Sequence, residues 1–400
     1  MSVPKIKDIR EVATVTGKNY TGKWNVYGTD LGVAVYAPSQ GRMYFLFGDT
    51  TGEWEVDKTK PKKWRGTVAG YTTNLDFSKG IDWEGFLDDE EGNARELVIA
   101  HHHAAPDYEI SKICQGGIEI DGNLYFFYES IHHWGAPASG LWYLNYGGVI
   151  KSTDGGKTFE KVYDLTWVEP THDPQRRDNA ARLATEDLYG NPTDVEFDAK
   201  LHAAPGFGQT YPVDGKDGYI YIFGRLGGRV MGIKCGRVKK EDFEHFDAYE
   251  YVVGFDEDGN AIWKPYREGL DEIIKNPVEA ELVKGPTSNM SVQFNAYLGK
   301  WLLTYYKPRD GIYYCVSDTP YGPYTEPTLA LDFFDARLRR EIGDSAHGNC
   351  LYGGFTHEMM NREGGKIVPI VISQWYALTD PDNPDIKRFY GSRLYEIEFE

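Results

Sequence analysis

The hydrophobic positions of this chain recur as pairs of short segments, and a glycine-containing turn joins the two members of each pair. The first segment is rich in small residues, whereas the second is strongly apolar and aromatic, as in Met43 to Phe47 and Trp301 to Tyr306. The pattern occurs five times, with first segments starting near residues 30, 115, 208, 291 and 351. Because no helical periodicity accompanies them, the pairs predict β-hairpins.

A third segment, in which polar and apolar residues alternate, follows the hairpins and extends each predicted sheet. Examples lie at residues 146–152, 230–238, 312–317 and 388–399. Units repeated at such long intervals are typical of propeller blades rather than of sandwich strands. The sequence therefore predicts an all-β fold, a five-bladed β-propeller that forms one domain over residues 1–400. Blades are expected near residues 25–80, 110–165, 203–255, 285–330 and 345–400, and the last strand is expected to pair with residues near the N-terminus.

Composition narrows the classes of partner. Of the 400 residues 41% are hydrophobic and 14% aromatic, and the formal net charge is −18. This charge argues against nucleic acid as a main partner, because phosphate binding requires clustered Lys and Arg.

No stretch reaches the roughly 20 apolar residues that a membrane span needs. Residues 1–10 lack an apolar signal-peptide core, so no classical signal peptide is expected in this form. The four cysteines lack CxxC spacing and are expected to be buried free thiols.

Three carboxylates are candidates for catalysis. In a propeller, the starts of the inner strands meet the ends of their antiparallel neighbours at one face of the ring. This geometry selects Asp30, Asp49 and Glu129. Glycoside hydrolysis uses one protonated carboxyl group for the leaving oxygen and one ionised group as base or nucleophile, and crowding separates their pKa values. Asp30 is expected to be the base or nucleophile and Asp49 or Glu129 the acid; the alternative is that both aspartates cap turns.

Sugar sites add aromatic platforms and planar polar side chains around the catalytic pair. Residues of these types occur at the predicted funnel positions of blades two to five. The expected substrate-binding residues are Trp142, Asn145, Tyr146, Gln209, Arg225, Arg229, Gln293, Asn295, Tyr352, His357, Gln374 and Trp375.

No metal site and no redox cofactor is predicted. Adjacent side chains in a strand or loop point in different directions, so the run from His101 to His103 is not expected to hold one metal ion. A structural Ca²⁺ near the funnel is compatible with the sequence, although no ligand spacing indicates it. The segment from Ser152 to Phe159 has the form of an Asp-box, in which Asp154 caps a tight turn, and a structural role is expected for it.

Several separated blocks resemble one known family. Gly28-Thr-Asp-Leu-Gly32 followed by Phe47-Gly-Asp-Thr50 is similar to a family signature, and further blocks agree in order over roughly residues 20 to 400. These further blocks are Gln115-Gly-Gly-Ile118, Phe207-Gly-Gln209, Tyr219-Ile-Tyr-Ile-Phe-Gly224, Tyr249-Glu-Tyr251, Ser291-Val-Gln293 and Ser373-Gln-Trp375. The family, formerly catalogued as a domain of unknown function, is that of the endo-D-arabinofuranases (glycoside hydrolase family 183 type).

The resemblance implies a five-bladed propeller that hydrolyses internal α-D-arabinofuranosyl linkages of bacterial cell-wall arabinan, in arabinogalactan or lipoarabinomannan. It matches Asp30 and Asp49 to the family's acids. The expected partner is thus a polysaccharide or oligosaccharide, and the expected place of action is extracellular or on a virion. The alternative hypothesis is a non-catalytic glycan-binding module, such as a phage tail adhesin. The sequence indicates no particular oligomeric state.

Overall fold

The computed structural model describes residues 2–55, 57–60, 62–134, 142–333, 346–378 and 388–400. Within these ranges the strands form five antiparallel sheets of four or five strands each. The innermost strands of the five sheets contact one another in cyclic order, so that the sheets surround a common axis. This arrangement confirms the predicted five-bladed β-propeller.

The chain enters through an outer strand, β1 (Ile6–Thr14), and a short helix, α1 (Lys18–Thr21). The first blade then consists of β2 (Leu31–Ala37), β3 (Arg42–Phe47), β4 (Val68–Thr72) and β5 (Gly85–Phe86). The second blade consists of β6 (Ser111–Ile120), β7 (Asn123–Trp134), β8 (Trp142–Ser152), β9 (Glu160–Lys161) and β10 (Trp167–Val168). Helix α2 (Pro174–Thr185) follows in the long connection to blade three.

The third blade consists of β11 (Gln209–Asp214), β12 (Tyr219–Arg225), β13 (Lys234–Lys239), β14 (Glu250–Phe255) and β15 (Ala261–Pro265), with helix α3 (Tyr266–Lys275) behind it. The fourth consists of β16 (Met290–Asn295), β17 (Lys300–Lys307), β18 (Gly311–Ser317) and β19 (Thr328–Asp332). The fifth consists of β20 (Ala346–Phe355), β21 (Ile367–Leu378), β22 (Arg388–Phe399) and the outer strand β1. None of the described helices is both long and apolar enough to cross a membrane.

The ring is closed by the two ends of the chain. Strand β1 pairs antiparallel with β22, and Ile9 lies opposite Ile397, which confirms the predicted closure. Ion pairs lie beside the ladder: Arg10 and Glu396 approach to 2.6 Å, as do Arg393 and Glu11. This pairing joins the first and last strands of the chain and so closes the ring.

Small residues on the inner strands allow the blades to meet closely. A Cβ atom at Gly116 would lie 2.6 Å from Cδ of Pro212 in blade three. One at Gly117 would lie 2.9 Å from Cγ2 of Val35 in blade one. Both distances are too short for carbon atoms, so glycine is required where three inner strands converge. The aromatic second strands then pack between the sheets and form the core.

The Asp-box at the β8–β9 turn has the structural role that the sequence predicts. Asp154 accepts hydrogen bonds from the Ser152 hydroxyl (2.8 Å), the Thr158 amide (2.9 Å) and the Thr158 hydroxyl (2.7 Å). These bonds hold the pKa of Asp154 well below its usual range. Cys114, Cys235 and Cys315 are buried free thiols, as expected.

Replacing Asp154 with alanine is expected to lower the thermal midpoint by roughly 2 °C at pH 7, because the turn loses its hydrogen-bond acceptor. The difference should shrink as the pH falls below the ordinary aspartate pKa of 3.8, because the unfolded state then binds a proton that Asp154 in the folded state does not take up. Circular dichroism melting at pH 7 and pH 3 measures both effects. An unchanged midpoint at pH 7 would contradict the structural role.

Candidate active site

A cavity of about 510 Å³ opens at the end of the ring where inner strands β2, β6 and β16 begin. Every blade contributes to its wall. Asp30 precedes β2, Asn289 precedes β16, and Tyr352 belongs to β20. Glu129 on β7 and Arg229 after β12 complete the contribution of blades two and three. The cavity therefore depends on the closed ring rather than on any single blade.

Asp30 is held at this mouth by its neighbours in blades one and five. Its carbonyl oxygen accepts a hydrogen bond from the Gly48 amide (3.0 Å), which ties it to the end of β3. Its Oδ2 accepts from the hydroxyl of Tyr352 (2.8 Å), and Tyr390 also donates to the carboxylate. Burial raises the pKa of Asp30 to about 6, although the two tyrosines and Arg229 oppose this rise.

Asp49 lies two residues beyond the end of β3, on the same wall. Its Oδ1 accepts two hydrogen bonds, one from the indole Nε1 of Trp64 (2.8 Å) and one from the hydroxyl of Ser111 (2.6 Å). Burial, and then the neighbouring charge of Asp30, raise the pKa of Asp49 to about 7. Because Oδ1 already accepts two bonds, a proton on this carboxyl group belongs on Oδ2.

Glu129 lies deeper and is almost fully buried, with 2% of its surface exposed. Two amide groups donate to its Oε1, those of Gln115 (2.9 Å) and Gln209 (3.1 Å). Gln115 in turn accepts from Asn289 (2.9 Å), which links blades two, three and four. Burial raises the pKa of Glu129 to about 7, opposed mainly by the charge of Arg225. Among the described residues, none donates a hydrogen bond to its Oε2.

Tryptophan side chains form much of the remaining wall. Trp134 and Trp142 meet edge to face, with their ring centroids 5.8 Å apart, and the guanidinium of Arg229 lies 4.6 Å from the Trp142 centroid. Trp54, Trp64 and Trp375 line other parts of the cavity. Aromatic faces of this kind bind the apolar faces of sugar rings, while carboxylates and amides bind hydroxyl groups.

The structure brings most of the predicted site residues together. Asp30, Asp49, Glu129, Trp142, Arg229, Tyr352 and Trp375 all line the cavity. Gln209 and Arg225 lie directly behind it: Gln209 bonds to Glu129, and the charge of Arg225 acts on the same carboxylate.

Four predicted residues lie outside the cavity, and the polar groups of three of them serve the fold. Asn145 donates to the Ser130 hydroxyl and to the Tyr108 carbonyl. The hydroxyl of Tyr146 donates to the Leu183 carbonyl of α2. Asn295 bonds to the Gly365 carbonyl at a turn. Gln374 is adjacent to Trp375 on β21, and successive side chains on a strand point to opposite faces of the sheet.

Gln293 and His357 line a different cavity, of about 270 Å³, at the opposite end of the inner strands. Tyr36 near the end of β2 and Tyr211 on β11 also line it. The predicted substrate residues are thus divided between the two ends of the ring. The sequence pattern identified polar positions on inner strands, but it did not distinguish which end of the strand each one occupies.

Several cavity residues were not predicted. Gln115 occupies an inner-strand position like that of Gln209, so the same reasoning applied to blade two would have identified it. Trp54 and Trp64 lie in the connection between β3 and β4, which begins with Gly48 and Asp49. Tryptophan residues in a polar, lysine-rich loop could have indicated a binding role for this loop. Nothing in the local sequence marks Asn289 and Tyr390, which line the cavity, or Ser111, which bonds to Asp49, because their positions depend on the closure of the ring.

The match to a family model decides the identity of the chain. The model described as a domain of unknown function, DUF4185, matches residues 16–392, which is nearly the whole chain. The chain belongs to the DUF4185 family. No curated protein sequence matches this DUF4185 protein significantly.

Solved structures show likeness at the level of the fold. A hydrolase candidate from Bacteroides ovatus ATCC 8483 superimposes with a TM-score of 0.54 at 13% identity, covering 94% of the DUF4185 chain and 87% of its own. A xylan β-1,4-xylosidase from Bacillus halodurans C-125 gives a TM-score of 0.43 at 10% identity, covering 93% and 53% respectively. At these identities the first similarity supports the propeller fold of the DUF4185 protein and nothing beyond it.

Proposed function

We propose that this protein is a glycoside hydrolase whose reaction takes place in the cavity that contains Asp30, Asp49 and Glu129. The observation that carries the proposal is the convergence of three carboxyl groups in one tryptophan-lined cavity, with pKa values raised to about 6, about 7 and about 7. Structural carboxylates usually gain partners that lower their pKa, whereas these are kept partly protonated near neutral pH.

The proposed roles follow from these environments. Asp30 has the lowest of the three pKa values, so it is ionised first and acts as the base on water or as the nucleophile at the anomeric carbon. Asp49 carries a proton on Oδ2 and gives it to the leaving oxygen as the glycosidic bond breaks. Glu129, whose Oε1 is held by two amides, interacts electrostatically with Asp49, and its Oε2 accepts substrate hydroxyl groups. Carboxyl groups and water are sufficient for this chemistry.

The substrate that we propose is a furanoside polymer, the D-arabinan of bacterial cell walls, cleaved at internal α-D-arabinofuranosyl linkages. Support comes from the resemblance of the sequence blocks to the endo-D-arabinofuranases. The blocks around Asp30, Asp49, Gln115 and Trp375 supply walls of the cavity, so part of the resemblance lies where substrate would bind. A cell-wall polysaccharide lies outside the cytoplasm, which favours an extracellular or virion-borne place of action.

The direct test is incubation of the purified protein with mycobacterial arabinogalactan and, in parallel, with plant L-arabinan. Cleavage is measured by an assay of newly formed reducing ends and by chromatography of the products. We expect short D-arabino-oligosaccharides from the first polymer and none from the second. Binding to the polymer without any product would instead support the glycan-binding module, and the absence of both would refute a role on this substrate.

Activity is expected to follow a bell-shaped dependence on pH with a maximum between about 6 and about 7. Below this window Asp30 becomes protonated and cannot act as base. Above it Asp49 loses the proton that the leaving group needs. Initial rates in constant-ionic-strength buffers from pH 4 to pH 9 measure both limbs. Undiminished activity at pH 9 would exclude Asp49 and Glu129 as the acid.

A further inference from the structure

Three adjacent histidines lie between blades one and two, and each faces a different carboxylate. His101 Nε2 lies 2.8 Å from Glu186, and His103 Nδ1 lies 2.9 Å from Asp107. His102 lies on the side of the cavity, behind the wall that Trp64 forms. The three side chains therefore have different contacts, and only His102 contacts a residue of the proposed active site.

The contacts of His102 place an oxygen acceptor opposite each of its ring nitrogens. Nδ1 lies 3.0 Å from the carbonyl oxygen of Ile110, which can only accept a hydrogen bond. Nε2 lies 3.1 Å from Oε1 of Glu96, and this same oxygen also accepts the Gly66 amide at 2.8 Å. A carboxylate oxygen that already accepts from an amide is an acceptor for the imidazole as well. With Glu96 ionised, both nitrogens donate, and the ring carries two protons and a positive charge.

This charged ring lies against the tryptophan that binds Asp49. The ring centroids of His102 and Trp64 are 4.9 Å apart, with 33° between their planes. The indole Nε1 of Trp64 donates to Asp49 Oδ1 at 2.8 Å. We propose that Glu96 and His102 form a charged pair that positions Trp64 against Asp49 and keeps a positive charge beside that carboxyl group. The inference rests on the proposed function, in which Asp49 is the acid, and His102 is a positioning residue.

The electrostatics agree with this geometry. Burial alone would lower the pKa of His102, but the hydrogen bond and charge of Glu96, the Ile110 carbonyl and the charge of Asp49 together raise it. For Asp49, burial and Asp30 raise the pKa, while Ser111, Trp64 and the charge of His102 lower it.

Two other charged groups face this wall. Glu129 interacts with Asp49 across the cavity, and the ammonium group of Lys62 lies 5.8 Å from the Trp64 ring. Both remain in place when His102 is replaced. The loss of the imidazolium therefore removes one cation from beside Asp49 and leaves the other charges unchanged. The pKa of Asp49 is expected to rise by about 0.5 to 1 pH unit as a result.

The test is His102→Gln, with His103→Gln as the matched control because the neighbouring ring has its own carboxylate and no contact with Trp64. Nitrogen-15 NMR of the wild-type imidazoles at pH 7 should show His102 with both nitrogens protonated. Carbon-13 titration of the aspartate carboxyls, assigned with Asp49→Asn, should show the Asp49 pKa higher in His102→Gln and unchanged in the control. The Trp64 indole N–H signal should move in His102→Gln only.

A neutral His102 at pH 7, or an Asp49 pKa that does not change in His102→Gln, would overturn the inference. If His102→Gln does not fold, Glu96→Gln provides the same comparison, because it keeps an oxygen acceptor for the Gly66 amide while removing the charge that holds the imidazolium. In the glycosidase assay, the alkaline limb of the pH profile should move to higher pH by the same 0.5 to 1 unit. The NMR titrations do not depend on turnover, so failure of the proposed function and failure of the charged pair give different results.

Discussion

Replacing Asp30 with asparagine is expected to reduce turnover by about 10³-fold or more while leaving the propeller folded. Asparagine keeps the shape of the side chain and an oxygen for the hydroxyls of Tyr352 and Tyr390, but it can neither take a proton nor attack carbon. The assay is product release from arabinogalactan at pH 6.5. Asp88→Asn, at an exposed position, is the matched control and should keep full activity. Normal turnover in Asp30→Asn would end the assignment of Asp30.

The pH dependence of stability provides a second measurement on the same variant. For an aspartate whose pKa is lowered by structural partners, this dependence would have the opposite sign. The pKa of Asp30 is raised in the folded protein from its ordinary 3.8 to about 6. The folded state therefore holds the proton more tightly than the unfolded state does. This contribution to stability is fully present below pH 3.8 and is lost as the pH rises through 6. Asparagine does not titrate, so Asp30→Asn does not lose this stability as the pH rises. The difference in thermal midpoint, variant minus wild type, should therefore be larger at pH 8 than at pH 4.

The fold was predictable from sequence because its determinants are local. Paired hairpins with a Gly turn and aromatic second strands mark each blade, and the pairing of β22 with β1 follows from the need to close the ring. Helix α2, in the long connection between blades two and three, was not predicted. Most of its residues are polar or charged and only a few of them are buried, such as Leu183, so the periodic signal is weak.

The site was only partly predictable, and the reason is geometric. Asp30 and Asp49 were found because one precedes the first strand of a hairpin and the other follows its second strand, so the local register alone brings them together at the open end. Tyr390 and Ser111 belong to other blades, and their positions relative to Asp30 and Asp49 depend on how five sheets close around an axis. Asn295 and Gln293 show the converse case: they have the expected polarity, yet they lie toward the other end of β16.

Gly48, between β3 and Asp49, should be as sensitive as the acids themselves. A Cβ atom at this position would lie 2.2 Å from Oδ1 of Asp30, and 3.3 Å from side-chain atoms of Ile113 and Leu31. Alanine suits the local backbone, because φ at Gly48 is not positive. The added methyl group must therefore displace the Asp30 carboxyl group, which is the most movable of its neighbours. A displacement of about 1 Å is expected to lower turnover by about 10²-fold.

The control is Gly254→Ala on β14, also buried, where the nearest atom to an added Cβ is the Glu279 carbonyl oxygen at 3.9 Å. Both variants should show the wild-type circular dichroism spectrum, and only Gly48→Ala should lose activity. In addition, Gly48→Ala should shift the acidic limb of the pH profile, which Asp30 sets, because the displaced carboxyl group leaves the hydroxyls of Tyr352 and Tyr390 that lower its pKa. The limb should move to higher pH. Full activity with an unshifted acidic limb would mean that the Asp30 carboxyl group need not occupy its observed position, and the assignment of this cavity as the reaction centre would then fail.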